Sequence, residues 1–462
     1  MSRTPTLNTK STQQWRILTA TITSDRGHDV DVKNIILELI LYENIYVPFV
    51  TGRVAIGDDT GLFNEIGPMG TERLNLEVRS ETPGEDFPND EGAVSGKTFV
   101  MKGIENQVKS NAEGTSSVVV FELIEEHAVA SNVLKLSRTV KDNAVLEILK
   151  CTSDMGITVD IRQARPPKQT KWKAYIPYLS PLETINWLME RATNEKEMPY
   201  VLYSNIHTPS IKLASLDVLM EKPPFNQNTP YIYSSATVQG QEYQTGAAAL
   251  NDLPKKHWHI NSMKASKLQN QLELAQKGGA TGSRLTVTNI HGSNPIILSK
   301  HNSITDTIGK MSSMFRGGTQ NVYDRQFNVV GAGPMHENDA AQIHKIVSEN
   351  TFTQDYKSWH FEETIDEYMP TLTANAVKAM MQKNTFTVEI SGAEFLQAKK
   401  GVGDTVRLMV YADNPDLENA NKQLDRLKSG TFLITAVAHR FKIPSHTVTM
   451  QVTKFAIEDS LG

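Results

Sequence analysis

Cysteine is almost missing from this chain: Cys151 stands by itself among 462 residues, which excludes an intrachain disulfide framework and a zinc site built from several cysteines. Long apolar runs are missing as well. The longest, Ile35 to Leu41, is interrupted by Glu38 and followed by Tyr42-Glu43. It falls short of the ~18 residues that cross a bilayer and reads as strand, not as a leader or a membrane span. The polar start, MSRTPTLNTKSTQQ, has no apolar segment either, and residues 1–13 are expected to form a mobile tail. A formal net charge of −5 gives no global basic footprint for gripping nucleic acid. Catalytic signatures are missing too: there is no G-x-S-x-G elbow, no G-x-x-x-x-G-K-S/T loop and no G-x-G-x-x-G after a strand. Gly331-Ala332-Gly333-Pro334 is too short to cradle a phosphate and reads as a turn.

What is present is a strand alternation of unusual regularity. In the stretch GTFLITAVAHRFKIPSHTVTMQVTKF, from Gly430 to Phe455, the residues Val448, Met450 and Val452 alternate with Thr447, Thr449, Gln451 and Thr453. That period of two puts an apolar row on one face and a hydroxyl-rich row on the other. Thr431 to Phe441 reads as the partner strand, with the break at Lys442-Ile443-Pro444-Ser445, so a hairpin closes the chain. Two more strands lead into it, around Phe386, Val388 and Ile390 and around Val406, Leu408 and Val410, the second preceded by the turn Gly401-Val402-Gly403-Asp404. Four antiparallel strands leave polar edges unless the set closes or is covered, so a small barrel is expected.

At the other end, about seven short strands lie between Trp15 and Ile124, with turn clusters such as Gly57-Asp58-Asp59-Thr60-Gly61 between them and no long helix. This pattern predicts a sandwich or barrel. After Glu126 the spacing becomes helical, first over Val140 to Leu149 and then from Ser180-Pro181-Leu182-Glu183, where a serine cap, a proline at the first helical position and a returning glutamate mark a helix start. That helix should run to about Ala192 and bury Ile185, Trp187, Leu188 and Met189. Strands are expected at Tyr200 to Tyr203 and Ile211 to Leu219, completing a small α/β module. Further expectations are a strand at Ile260 to Lys264, helices at Ser266 to Lys277 and Asp339 to Ser348, and a helix at Thr373 to Gln382 leading into the last barrel. The fold class expected is therefore α+β and β-rich. Its divisions are a first β-barrel at 14–127, an α/β module with linker at 128–255, a second barrel at 256–300 and 371–458, and an insertion at 301–370.

Candidate chemical groups are few, and each has a simpler explanation. His257-Trp258-His259 would put two imidazoles on one strand face, as zinc requires, but no carboxylate or cysteine lies nearby at ligand spacing, and two histidines beside Pro254-Lys255-Lys256 need no metal. His336-Glu337 begins an H-E-x-x-H pattern, yet His344 comes eight residues after His336 instead of four. The acidic pairs Glu125-Glu126 and Asp58-Asp59 are ordinary surface neighbours in the absence of other signals. Cys151 follows the apolar run Leu146 to Leu149 and is expected to be a buried hydrophobe. No catalytic, cofactor-binding or metal-ligating residue is assigned.

The run Leu37-Glu38-Leu39-Ile40-Leu41-Tyr42-Glu43-Asn44-Ile45, followed by Gly52, Gly57-Asp58-Asp59-Thr60-Gly61-Leu62 and Ile66-Gly67-Pro68-Met69-Gly70-Thr71-Glu72, resembles the start of baseplate central hub proteins of contractile-tailed phages. The helix from Ser180 to Arg191 with Tyr200 to Tyr203 looks like that family's α/β module, and Ser429 to Ile434 with His439 looks like its closing barrel. The chain is also similar to the hub part of type VI secretion spike proteins, although it ends at Gly462 with no needle extension expected. The resemblance implies two tail-tube-like barrels per chain and a homotrimer that presents six barrels in a pseudo-sixfold ring. It implies a non-enzymatic part of the virion baseplate, assembled in the host cytoplasm. Its partners would be a tail tube or tube-initiator protein, a spike and baseplate wedge proteins, with DNA passing through its lumen unbound. A lumen lined by acidic and small polar residues, with basic residues paired or turned outwards, would suit that passage. The alternatives are a tail-associated cell-wall hydrolase or the hub of a related contractile injection system.

Overall fold

A computed structural model describes residues 15–24, 27, 29–59, 61, 69–81, 93–109, 117–140, 142–168, 174–233, 258–267, 283–289, 296–302, 318–321, 328–329, 333–334, 341–347, 365–383, 385–411, 424–425, 428–443, 445–454 and 456–458. Seven strands open the fold: β1 (Trp15–Thr23), β2 (Asp29–Asp31), β3 (Ile36–Asn44), β4 (Thr51–Asp58), β5 (Arg73–Ser80), β6 (Val94–Lys109) and β7 (Ser117–Glu125). The middle of the chain holds α1 (Glu126–Val133), β8 (Thr139–Val140), α2 (Ala144–Asp154), β9 (Val159–Gln163), β10 (Ala174–Tyr175), α3 (Pro181–Met189), β11 (Tyr200–Tyr203), β12 (Ile211–Ser215), α4 (Leu216–Met220) and β13 (Tyr231–Tyr233). Then come β14 (Ile260–Lys267), β15 (Ser283–Asn289), β16 (Ile296–Asn302), β17 (Gly318–Asn321), β18 (Asn328–Val329), β19 (Gly333–Pro334), β20 (Ala341–Val347) and α5 (Ile365–Lys383). The chain closes with β21 (Thr385–Ser391), α6 (Ala393–Gln397), β22 (Thr405–Val410), β23 (Gly430–Lys442), β24 (Ser445–Thr453) and β25 (Ala456–Glu458).

Local sequence accounts for most of these elements. In β5, Leu74, Leu76 and Val78 are buried while Arg73, Asn75 and Glu77 are exposed, the alternation of a half-buried strand. At α3 the capping box forms in full: Ser180 Oγ accepts from the Glu183 amide at 3.2 Å and Glu183 Oε2 accepts from the Ser180 amide at 2.7 Å. Ile185 and Leu188 are buried beneath it, with Trp187 and Met189 half-buried.

Three expectations are corrected. The segment expected as a helix at Asp339 to Ser348 is strand β20, which runs parallel to β15 in register from Ser283 opposite Ala341 to Asn289 opposite Val347. Its Ile343, Ile346 and Val347 have the spacing of a helix face. β-branched side chains favour a pleated surface, and so short a helix has little stability of its own to oppose a full ladder. The strand expected over Ile211 to Leu219 ends at Ser215, and Leu216–Met220 turns helical as α4. Of the helix expected at Ser266 to Lys277, Ser266 and Lys267 belong to β14, and the remainder lies outside the described residues. Residues 1–13, expected to form a tail, also lie outside them.

The protein is β-rich and mainly antiparallel, but the described strands do not form two closed barrels. Thirteen of them share one sheet in the order β14-β21-β24-β23-β3-β4-β7-β6-β5-β1-β2, with β22 joined to β23 and β13 to β22. The reason is that β3 carries a ladder on each side, to β4 and to β23, so the sheet runs from one β unit into the next. In the second unit β13 and the start of β14 meet at a single bridge, Ile232 to His259. In the first, the free end of β1 leans on the closing hairpin: the Trp15 indole N–H donates to the Ser445 carbonyl at 3.0 Å, and its ring lies 5.0 Å from that of Phe441.

Each unit curls around its own core. Leu39, Val54, Leu74, Phe99 and Phe121 belong to the first; Val388, Val406, Phe432, Met450 and Val452 belong to the second. A third cluster lies under α2 and α3, where Ile148, Cys151, Ile185 and Leu188 meet Tyr200 and Leu213 from β11 and β12.

The row Val448, Met450 and Val452 is wholly inaccessible. Val452→Asp should therefore lower unfolding stability by several kcal/mol, the usual penalty for an unpaired buried carboxylate. Thermal unfolding followed by circular dichroism checks this, and an unchanged melting temperature would contradict the burial.

Candidate functional site at the seam of the two β units

The seam is a six-residue antiparallel ladder from Asn44 opposite Ala436 to Leu39 opposite Phe441. Alternation sorts its side chains. Leu39, Leu41, Val437, His439 and Phe441 point inwards together with Glu43, whereas Ile40, Tyr42, Asn44, Ala436, Ala438 and Arg440 point outwards.

Glu43 is thus an acid placed in a core row, only 2% exposed, and it is satisfied by three separate parts of the chain. Its Oε1 accepts from the Ile206 amide at 2.8 Å, beyond β11, and its Oε2 accepts from the Val402 amide at 3.1 Å, in the turn before β22. His439 Nε2 stands 3.7 Å from Oε1. Burial raises the carboxyl's proton affinity, but the nearby His439 ring, helped by His207 and the Ile206 amide, outweighs it and holds the group below its ordinary value. The turn at 401–404, read from sequence only as punctuation, wraps this acid: a Cβ on Gly401 would sit 2.6 Å from Glu43 Oε2.

Three more polar groups extend the cluster. His439 Nδ1 lies 3.3 Å from His446 Nε2, and the two rings stack at 5.5 Å. His446 also stacks on Phe441 at 4.1 Å, and a Cβ on Gly392 would run into its ring at 2.2 Å. His207 bridges to the first unit. Its Nε2 faces the Lys400 carbonyl at 2.8 Å, which can only accept, so Nε2 carries the proton and Nδ1 accepts from Ser95 Oγ at 2.6 Å. Burial pushes His207 down to about 4 and His446 well below its ordinary value.

A Ser–His pair invites comparison with a nucleophile and its base. Here Ser95 is buried, and its half-buried histidine is held on the far side by a backbone carbonyl and not by an acid. The arrangement holds segments together. A second pin does the same work nearby: Lys97 Nζ donates to Glu125 Oε1 at 2.5 Å and to Ser204 Oγ at 2.8 Å, and Glu125 Oε2 accepts from the Val50 amide at 2.9 Å. Both ends of that ion pair are only 4% exposed.

The sequence candidates scatter. Glu125 is the buried partner of Lys97, while Glu126 pairs with Arg73 at the surface. Trp258 packs against the second core and His259 is half-buried beside it; His257, His336 and Glu337 lie outside the described residues. No group of three or more His, Cys, Asp or Glu able to hold a metal occurs among the described residues. Cys151 is fully buried, with Arg138 Nη2 3.5 Å from its sulfur, and burial pushes the thiol up to about 12. Sequence reading missed Glu43, His207 and His446 as a unit. The one signal was an acid standing in phase with Leu39 and Leu41.

On the outer side of the seam lies a groove of about 480 Å³, lined by Tyr42, Asn44, Thr51, Thr387, Thr449 and Gln451, among others, with no lysine or arginine in its wall. The exposed cations near it are engaged: Arg440 with Glu38 at 2.5 Å and Arg53 with Glu105 at 2.8 Å.

Comparison with known proteins places this architecture. No protein-family model matches the sequence, and no curated protein matches it. Among solved structures, the 43 kDa tail protein of prophage MuSo2 from Shewanella oneidensis superposes over 94% of this chain and 98% of its own, with a TM-score of 0.50 at 8% identity. The chain has the fold of a phage tail protein. A tail protein from Neisseria meningitidis matches over 94% of this chain and 96% of its own at 8% identity, with a TM-score of 0.47. A type VI secretion system component from E. coli covers 97% of this chain and 79% of its own at 7% identity and 0.35. The likeness to tail proteins read from the N-terminal run and the closing strands is upheld, at the level of fold, by the MuSo2 protein. No helix among the described residues is long and apolar enough to cross a membrane.

Two measurements test this core. Lys97→Met should destabilise by about 3–5 kcal/mol in urea because it strands a buried carboxylate, and adding Glu125→Gln should restore part of that loss. A thiol reagent should reach Cys151 only after unfolding; fast labelling of the native chain would place the sulfur at the surface.

Proposed function

We propose that this chain is the central hub of a contractile tail baseplate, a structural and non-enzymatic component. In this reading the β units at 14–127 and at 256–300 with 371–458 are two tube-like modules, 128–255 is the α/β module beside them, and 301–370 is an insertion in the second. Three copies then offer six such modules in a pseudo-sixfold ring, which adapts the sixfold tail tube, or its initiator, to a trimeric spike, with wedge proteins outside. The observation that carries the reading is the β3–β23 ladder, which makes the two units one continuous sheet with a common outward face. A rigid pair of modules is what a ring with twofold repetition per subunit requires.

The same face is our choice for the wall of the lumen. Its hydroxyl and amide groups, Thr51, Thr387, Thr449, Gln451 and Asn44, with its cations bound to Glu38 and Glu105, offer DNA little to hold. Free lysines or arginines would add counterion-release affinity at each phosphate and slow the exit of a genome. No residue is assigned to catalysis, and no cofactor or metal enters the proposal. The closed ring would also pair or cover the sheet edges across subunits.

Native mass spectrometry of the purified chain should show a species of three times the chain mass. A monomer or dimer that persists at high concentration, and also after addition of a co-expressed spike protein, would refute the ring. Duplex DNA should bind weakly at low salt and not at all at physiological salt.

A further inference from the structure

The buried polar cluster at the seam joins three parts of the chain. Glu43 and Ser95 come from the first β unit, His207 from the α/β module, and His439, His446 and the 400–402 backbone from the second β unit. We propose that this cluster is an acid-sensitive latch, closed when His207 and His446 are neutral and opened when they gain protons, which sets whether the α/β module and the two β units are held as one body.

Burial makes an added proton on His446 or His207 costly in the closed form. His439 and His446 are 0% and 1% exposed, and a charged His446 would stand 3.3 Å from a second imidazole nitrogen with Phe441 stacked on its other face. His207 has one nitrogen donating to a carbonyl. Its other nitrogen must accept from Ser95, so protonation there turns an acceptor into a donor facing a hydroxyl. The charged groups facing the cluster are few. Glu43 is the acid on β3, already met by two amides and His439; Lys212 on β12 acts on His207 and opposes a second positive charge. Asp404 accepts from the Gly401 amide instead, α6 presents Phe395, and Arg440 on β23 is turned outwards to Glu38. One carboxylate therefore faces three imidazoles.

The sign follows from proton binding. A histidine held near 4 in the closed form and free at its ordinary 6.5 in the open form takes up protons only on opening, so acid favours opening between those values. At pH 5 the opening equilibrium should rise on the order of 30-fold for His207, and His446 adds in the same direction. Glu43 has the opposite protonation logic within its own range: lowered in the closed form, it is lost as a tie only below about pH 4.5.

Hydrogen exchange of the full-length protein between pH 7.5 and 5, corrected for intrinsic exchange rates, tests the latch. Residues 39–50, 204–208, 399–404 and 439–443 should lose protection together, by tenfold or more, while β1, β5, α2 and α3 stay protected. His446→Phe keeps the stacking ring and removes its titration, and His207→Gln keeps a donor and an acceptor. Each should move the opening to lower pH and flatten it. Protection at the seam that is indifferent to pH, or loss that occurs only with global unfolding, overturns the proposal. So does a proton dependence unchanged in both variants. None of these outcomes depends on oligomeric state, so they leave the ring proposal to its own test.

Discussion

The ladder between β3 and β23 is the constraint on which the rest of the molecule depends. It joins residues about four hundred positions apart, as the contact of Arg440 with Glu38 shows. Such closure comes at a modest entropic premium, because loop entropy grows only with the logarithm of length, but it implies a late and slow step in folding. Its return is structural. β3 has both edges paired, so the two β units have no exposed edge between them and cannot slide apart without breaking a row of backbone hydrogen bonds.

Register in that ladder is set by side chains. A slip of β3 by one residue would turn Leu39 and Leu41 outwards and bury Ile40 and Tyr42. Glu43 sharpens this further, because only one register brings it to the amides of Ile206 and Val402. A buried carboxylate is weak support for stability as such; its use is to penalise every arrangement in which its partners are missing. The Lys97–Glu125 pair applies the same penalty on the other side of the α/β module, through Ser204 and Val50. The module is thus tied to the first β unit by two separate buried polar contacts, and its orientation is a consequence of both.

The two faces of the sheet have opposite chemistry for one reason, the period of two. Inward residues are apolar except where they meet the polar cluster, and outward residues at the seam, Ile40 apart, are small, amide or hydroxylated, with Arg440 bound to Glu38. A surface of that kind suits a duct better than a grip, which is the physical link between the fold and the role proposed for it.

The strands of both β units could be placed from residues alone, because alternation of apolar and polar side chains is a local signal: Trp15–Thr23, Thr51–Asp58 and Ser445–Thr453 fall where the pattern puts them. The cap at Ser180, the turn at Gly401 and the buried character of Cys151 were equally local, since each rests on groups within a few positions. Where local signals were ambivalent, distant partners decided. Ile343, Ile346 and Val347 became a strand because β15 offered a ladder, and Leu216–Met220 left its strand to become α4. The sheet that fuses the two units, and the meeting of Glu43 with His207, His439 and His446, left no trace in spacing beyond an acid in phase with Leu39 and Leu41. Glu43 and Val402 are 359 positions apart, and a contact of that range exists only after two registers and a module's orientation are fixed together.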